Sequence, residues 1–368
     1  MIRDFPNLQS FLSSRSQNRY PAVIPVSHLP SLYPPYEYDH PNYGLTICQE
    51  PQYSLSQLGK CLILYGMKFE LQSQSPYNLT RCALIFSQFP LDGTDVWIPA
   101  REILPAQYRR LYVVENELIL AIVQQDRDSQ LLVRIHPSHP KHHASFRSMV
   151  SWQFHLDAPL EAFYQRARNH PFFQPLLKNL YGVKPLRTPT LYEMGVIAIT
   201  EQQISYPVAV KMRSRLIEAL GRKMVFEGKT YRAFPTAQAV AECQVDDLRA
   251  FSFSGRKAEY IIDFSRKIAD GSFHLEDLRD RPNEEVITAL TSLRGFGRWS
   301  AEYLLNRGLG RSDVFAADDL GVQRLVGKHL GPGHRVTAKE CGKILDEWGN
   351  CKRWVVFYLL CASRLGLI

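Results

Sequence analysis

The chain changes its hydrophobic period once, near residue 155, and that change limits its fold more than any composition figure. From about residue 46 to 154 the apolar residues alternate. "KCLILYG", "TRCALIFSQF", "DVWIPA", "RRLYVV", "ELILAIV" and "LLVRIHP" are short β-branched or aromatic runs broken by Gly, Asn and Asp. "VVENELILAIV" and "IVQQDRDSQLLVRI" predict successive hairpins, and hence an antiparallel sheet. From residue 155 to 368 the spacing turns to three and four, as in "APLEAFYQRARNHPFFQPLLKNL", "GRKAEYIIDFSRKIADG" and "NEEVITALTSL", which predicts helices. The expected class is α+β: an antiparallel sheet domain over 46–154, then an all-α domain over 155–368. Residues 1–45, rich in Pro, Tyr, Ser and Asn, predict an extended N-terminal segment.

Bulk properties narrow the class. With 368 residues, 45% hydrophobic and 22% charged, the chain has enough apolar material for two cores. No apolar run approaches the roughly 20 residues that span a bilayer, and "MIRDFPNLQSFLSSRSQNRYP" lacks a secretory apolar core. The seven cysteines are dispersed and odd in number, which predicts reduced thiols and an intracellular location. The net charge of +8 is uneven. Residues 1–150 hold 13 Lys/Arg against 12 Asp/Glu, whereas residues 151–368 hold 31 against 24. A polyanionic partner is therefore expected for the helical half.

That half contains "TSLRGFGRWSAEYLLNRGLGRSDVFAADDLGVQRL", residues 291–325. Leu293-Arg294-Gly295-Phe296-Gly297-Arg298 fits two helices joined by a glycine hairpin, with Leu293 anchored in the core. Gly295 and Gly297 suit positive φ or close backbone approach. Amides exposed at the start of the second helix attract a phosphate, and the hairpin carbonyls suit a monovalent cation. An ordinary glycine-capped connection explains Gly-Phe-Gly equally well.

Beyond the hairpin, the order hairpin, helix, short loop and Asp319 resembles the helix–hairpin–helix DNA glycosylase superfamily, most closely its bacterial 3-methyladenine DNA glycosylase II branch. "LRTPTLYEMGVIAITEQQIS" and "FSFSGRKAEYIIDFSRKIADG" are similar to other segments of that branch, so the resemblance covers residues 155–368. It implies an enzyme that flips a damaged base out of double-stranded DNA and cleaves its N-glycosidic bond. The implied catalytic group is Asp319, whose carboxylate would stabilise an oxocarbenium-like sugar or orient water. A plain N-cap is the alternative, with Asp318 as capping or supporting neighbour. Strand-nicking members carry Lys where this chain has Trp299; the resemblance therefore implies water as nucleophile and no lyase activity. Trp299 and Tyr303, four apart on one helix, are implied to line the base pocket, where an electron-rich face favours cationic alkylated purines. Core packing is the alternative for both, and Trp354 is assigned to pocket or core alike. Gly295, Phe296, Gly297, Arg298, Gln202 and Gln203 are the implied DNA contacts. Gln203 stands as the wedge where the related bacterial enzyme resembles a Leu version; helix capping competes. Arg294 and Lys257 are further candidates as phosphate neighbours.

Two metal readings are set aside. Cys341, Cys351 and Cys361 lack a close fourth thiol for an iron–sulfur loop. The histidines of "HPSHPKHH" (His136, His139, His142 and His143) read as a surface loop. No cofactor and no metal are expected, and the partner is damaged duplex DNA, met by a monomer in the cytoplasm and nucleoid, or in the nucleus of a eukaryote. The competing expectations are the same fold acting on oxidised guanine, uracil or hypoxanthine, and a non-catalytic DNA-binding module. Asp319 separates the last from the others, because an anion against the backbone weakens a pure binder.

Overall fold

A computed structural model describes residues 67–101, 104–137 and 143–368. The Pro/Tyr-rich segment 1–45, the run "KCLILYG", His139 and His142 lie outside these. Five strands form one antiparallel sheet in the order β1-β5-β4-β3-β2: β1 Met67–Gln72, β2 Asp95–Ile98, β3 Gln107–Val114, β4 Glu117–Arg127 and β5 Gln130–His136. Both expected hairpins form. Glu115 and Asn116, at φ +46 and +67, make the β3–β4 turn in the left-handed conformation that matches strand twist. Ser129, at φ +61, closes β4 on β5. Alternate residues of β5 (Leu131, Val133 and Ile135) point into the core.

One expected strand is a helix. "TRCALIFSQF" lies mostly within helix α1, Leu79–Phe86. Asn78, which looked like a strand breaker, accepts a hydrogen bond from the Arg81 amide and caps it. Leu79, Cys82, Ala83 and Phe86 then share one face, a helical spacing hidden inside an unbroken apolar run. The sheet instead takes "MKFELQ", β1, as its edge strand.

The helices begin with α2 at His143–Gln153, ahead of residue 155, followed by α3 Glu161–Ala167, α4 Phe173–Leu180, α5 Leu191–Glu201 and α6 Tyr206–Leu220. A two-stranded hairpin, Lys223–Phe226 with Lys229–Arg232, departs from the all-α expectation. It packs on β3 through Tyr231 beside Leu111 and through Arg109, which binds Glu227 at 2.8 Å. Then come α7 Ala237–Ala241, α8 Val245–Ala250, α9 Gly255–Ala269, α10 Asn283–Thr291, α11 Arg298–Tyr303, α12 Leu320–His329, α13 Ala338–Asp346 and α14 Lys352–Arg364.

Two cores result. One is all-helical and centres on α5, α9, α10 and α11, through Met194, Ile199, Ile261, Phe264, Leu290 and Phe296. The other joins the sheet to α1–α4 and α12–α14, so that Phe154, Phe163, Trp348, Trp354 and Tyr358 belong to the same cluster as Tyr108 and Val133. No helix among the described residues is long and apolar enough to cross a membrane.

Candidate functional site

Helix α10 ends at Thr291 and Leu293 is buried beneath the turn. Gly295 sits at φ +91, and a Cβ there would lie 2.5 Å from Tyr260 Cγ, so both conformation and space demand glycine. Gly297 does not need a left-handed backbone: its φ is −98, it is the N-cap of α11, and a Cβ on it would meet open space. What lies outside Gly297 is therefore unfilled, at a helix start whose first amides have no intrahelical acceptor. The Phe296 side chain is buried, 5.1 Å from Phe264. Only its backbone is available to a ligand.

The expected phosphate neighbours are mostly occupied. Arg294 binds Glu259 and, at 2.9 Å, Asp263. Arg298 binds Glu302 at 2.8 Å and Glu284 at 3.5 Å. Lys257 Nζ donates to the Thr200 and Gln202 carbonyls, both at 2.7 Å, and so caps the end of α5. Gln202 Nε2 donates to the Gly295 carbonyl and to Ser300 Oγ, each at 2.8 Å. That side chain binds the hairpin to α5, and one of the hairpin carbonyls is already engaged by it. Gln203 is different. It is exposed, held at φ +57, and followed by the exposed Ile204.

Trp299 and Tyr303 do share a face: their rings stack at 4.9 Å with planes 16° apart, and both are half-buried. The helix then widens into a π turn, Leu304–Leu309, a form common near functional sites. Tyr303 donates its hydroxyl proton to Glu201 Oε2 at 2.7 Å and accepts from Arg307 Nη1 at 2.7 Å. Arg213 supports Glu201 at 2.8 Å and reaches Asp92 at 3.1 Å. Burial, with the Glu201 charge adding to it, pushes the Tyr303 hydroxyl well above its usual range and keeps it protonated. Trp354 does not join this pair. It is 1% exposed, 5.3 Å from the His155 ring and beneath Arg353, so it is a core residue with one edge on a separate cleft bounded by Asp157, Gly310 and Asn350.

Asp319 is the N-cap of α12. Its Oδ1 accepts from the Gly321 and Val322 amides at 2.8 and 3.0 Å. Oδ2 has no hydrogen-bond partner among the described residues, and the residue is half-buried, whereas Asp318 is exposed. The loop leading to it is bound to the aromatic helix. Asn306 Nδ2 donates to the Val314 carbonyl at 2.7 Å. Cap and catalytic carboxylate are thus compatible at one residue: one oxygen holds the helix and the other stays available. Near it, burial and the Asp319 charge push the Cys341 thiol up to about 11.

Sequence reasoning missed Glu201 and Arg307. Glu201 stood beside the glutamines of "TEQQIS" with no sign of a partner so distant in sequence. Arg307 had a signal, because Trp299, Tyr303 and Arg307 follow one another at four-residue steps.

Residues 196–351 match the family described as HhH-GPD superfamily base excision DNA repair protein. This segment, less than half of the chain, is a domain of that superfamily. It is 26% identical to the DNA-3-methyladenine glycosylase of Bacillus subtilis (strain 168) over 265 residues, 68% of this chain and 87% of that protein. It is 28% identical to DNA-3-methyladenine glycosylase 2 of Escherichia coli (strain K12) over 169 residues, 46% of this chain and 55% of that one. The 3-methyladenine DNA glycosylase structure from Archaeoglobus fulgidus superposes with TM-score 0.70 at 27% identity, over 80% of this chain and 98% of that one. The Clostridium acetobutylicum structure described as an 8-oxoguanine glycosylase/lyase shares the fold, at TM-score 0.60 and 17% identity over 81% of this chain and 98% of that one.

Proposed function

We propose that the protein is a monofunctional DNA glycosylase: it binds double-stranded DNA as a monomer, flips out alkylated purines of the 3-methyladenine and 7-methylguanine type, and cleaves the N-glycosidic bond to start base excision repair. The observation that carries this reading is the coupling of three parts on one helix and its loop. The hairpin supplies free amides at Gly297, the helix carries the Trp299–Tyr303 stack, and the loop bound to it by Asn306 presents Asp319 with one oxygen unpartnered. Relatives over most of the chain's length are described as DNA-3-methyladenine glycosylases.

In the mechanism, hairpin amides hold a backbone phosphate while Gln203, projecting beyond α5, fills the gap left by the flipped nucleotide. The base stacks on Trp299. As the glycosidic bond lengthens, positive charge grows on the sugar and Asp319 Oδ2 stabilises it; water then attacks. No lysine follows Arg298 on α11, so no Schiff base is expected there. The test is a duplex with one 3-methyladenine, scored separately for base release and for strand cleavage. Base release with nicking only after alkali, lost in Asp319→Asn, supports the reading. Immediate nicking refutes the monofunctional step, and full release by Asp319→Asn removes Asp319 from the chemistry.

A further inference from the structure

The π turn after α11 places a guanidinium beside the aromatic stack, and the mechanism above does not use it. Arg307 is exposed, with its guanidinium carbon 5.4 Å from the Tyr303 ring centroid and Nη1 on the Tyr303 hydroxyl. It lines a cavity with Met194, Ile197, Glu201 and Tyr206. The other arginines of that cavity each have a carboxylate: Arg110 has Glu193 and Asp95, Arg213 has Asp92 and Glu201, and Arg187 has Asp157. Arg307 has none within 4.0 Å among the described residues, and its Nε and Nη2 have no hydrogen-bond partner there. Tyr303 and Glu201 hold the group charged despite its position in the cleft.

We propose that Arg307 reads the exocyclic position of the flipped base, accepting bases with a 6-keto oxygen and disfavouring those with a 6-amino group. Within the alkylpurine class this selects alkylated guanines over alkylated adenines. The inference rests on the reading that the base is bound beside the Trp299–Tyr303 stack.

The chemistry is one-sided. A guanidinium has only donors. The O6 of a guanine is an acceptor and the N6 of an adenine is a donor pair, so the first gains a charge-assisted hydrogen bond and the second faces donor against donor. Tyr303 cannot relieve the mismatch, because its proton is committed to Glu201 and its oxygen already accepts from Arg307. The positive charge of Arg307 opposes a cationic base, but N-alkylated guanine and adenine both carry that charge, so the term cancels between them.

The test compares release of 3-methylguanine and 3-methyladenine from the same methylated duplex DNA under single-turnover conditions. Both bases carry the methyl group on N3. The 2-amino group and N1–H of guanine are donors and cannot be what a guanidinium reads, whereas N1 of adenine is an acceptor, so a fall confined to 3-methylguanine reports O6. With Arg307→Leu we expect 3-methylguanine release to fall by about tenfold or more, the worth of one such hydrogen bond, while 3-methyladenine release holds or rises. Arg307→Lys, which keeps a donor, should restore part of the loss. A ratio of two rates is insensitive to the fraction of enzyme folded. Equal falls for both bases, or an unchanged ratio, would overturn the role of Arg307 and leave the glycosylase reading standing. A wild-type protein that releases neither base refutes both.

Discussion

Gly295 is the hairpin residue for which the structure sets the size of a mutational effect. Alanine at φ +91 leaves the ordinary L-residue regions, at a cost of about 1–2 kcal/mol. Its Cβ would also stand 2.5 Å from Tyr260 Cγ and 2.7 Å from Cβ and Cδ2 of the same residue. The tyrosine ring must therefore turn away, at about 0.5–1.5 kcal/mol if it leaves its rotamer well, and it loses the Arg294 guanidinium held 5.2 Å from its centroid. Together these give about 2–4 kcal/mol for Gly295→Ala. The measurement is urea unfolding, with a fall in midpoint at unchanged slope. In a Tyr260→Ala background the ring clash is gone and only strain and the Cβ contact remain, so the same substitution should cost about 1 kcal/mol less. A Gly295→Ala cost below about 0.5 kcal/mol, or an identical cost in both backgrounds, would refute the claim that close approach to Tyr260 fixes this glycine. Because Gln202 grips the Gly295 carbonyl, base release should decline along with stability.

Two further predictions concern charge. Asn caps a helix about as well as Asp, so Asp319→Asn should leave unfolding stability within a few tenths of a kcal/mol, whereas Asp319→Ala should lose about 1 kcal/mol with both amide bonds; equal stability losses would mean that the charge, not the cap, is the structural contribution. Lys184 is fully buried, with Nζ on Ser73 Oγ at 2.7 Å, and burial pushes it down to about 8 from 10.5. Below pH 8 both folded and unfolded chains carry this proton and the buried charge is a full penalty. Between pH 8 and 10.5 the folded chain sheds it first, so the unfolded chain binds more protons and the Lys184 contribution to stability rises with pH. Relative to Lys184→Met, the wild type should gain about 3 kcal/mol across that window in paired pH-dependent denaturation. A stability gap that does not move with pH would sink this reading.

Local pattern and chain order carried most of the fold. Alternation placed β2 to β5 because a sheet with one buried face writes its register into the sequence. It failed at Leu79–Phe86, where both faces of an apolar run are consistent with either period and Asn78 serves as a cap or as a breaker. The hairpin, the aromatic pair and Asp319 were legible because all lie within thirty or so residues on one helix–loop unit. The partners that define the site were not: Glu201 meets Tyr303 across 102 positions and Gln202 meets Gly295 across 93. No periodicity reports such pairs. Trp354 shows the reverse limit, since helical spacing gives a face but not what the face meets, and here it meets His155.

The core that joins the sheet to the last helix also bears on how the chain is made. Arg364 of α14 binds the Gln88 carbonyl across 276 positions, and Phe357 lies 6.4 Å from Phe86. At 5–20 residues per second, a ribosome needs roughly 15–55 s to travel that distance. For all that time the end of α1, at Phe86 to Gln88, lacks the helix that covers it, although Phe146 and Phe154 already close the sheet face over Tyr108 and Tyr112. Meanwhile the all-helical core, drawn from residues 191 to 309, is complete and closes from contacts nearer in sequence. The middle of the protein can therefore fold while it is being synthesised, and the outer half waits for its final helix, with the uncovered rings of Phe86, Phe163 and Tyr164 as what a chaperone has to hold in the interval.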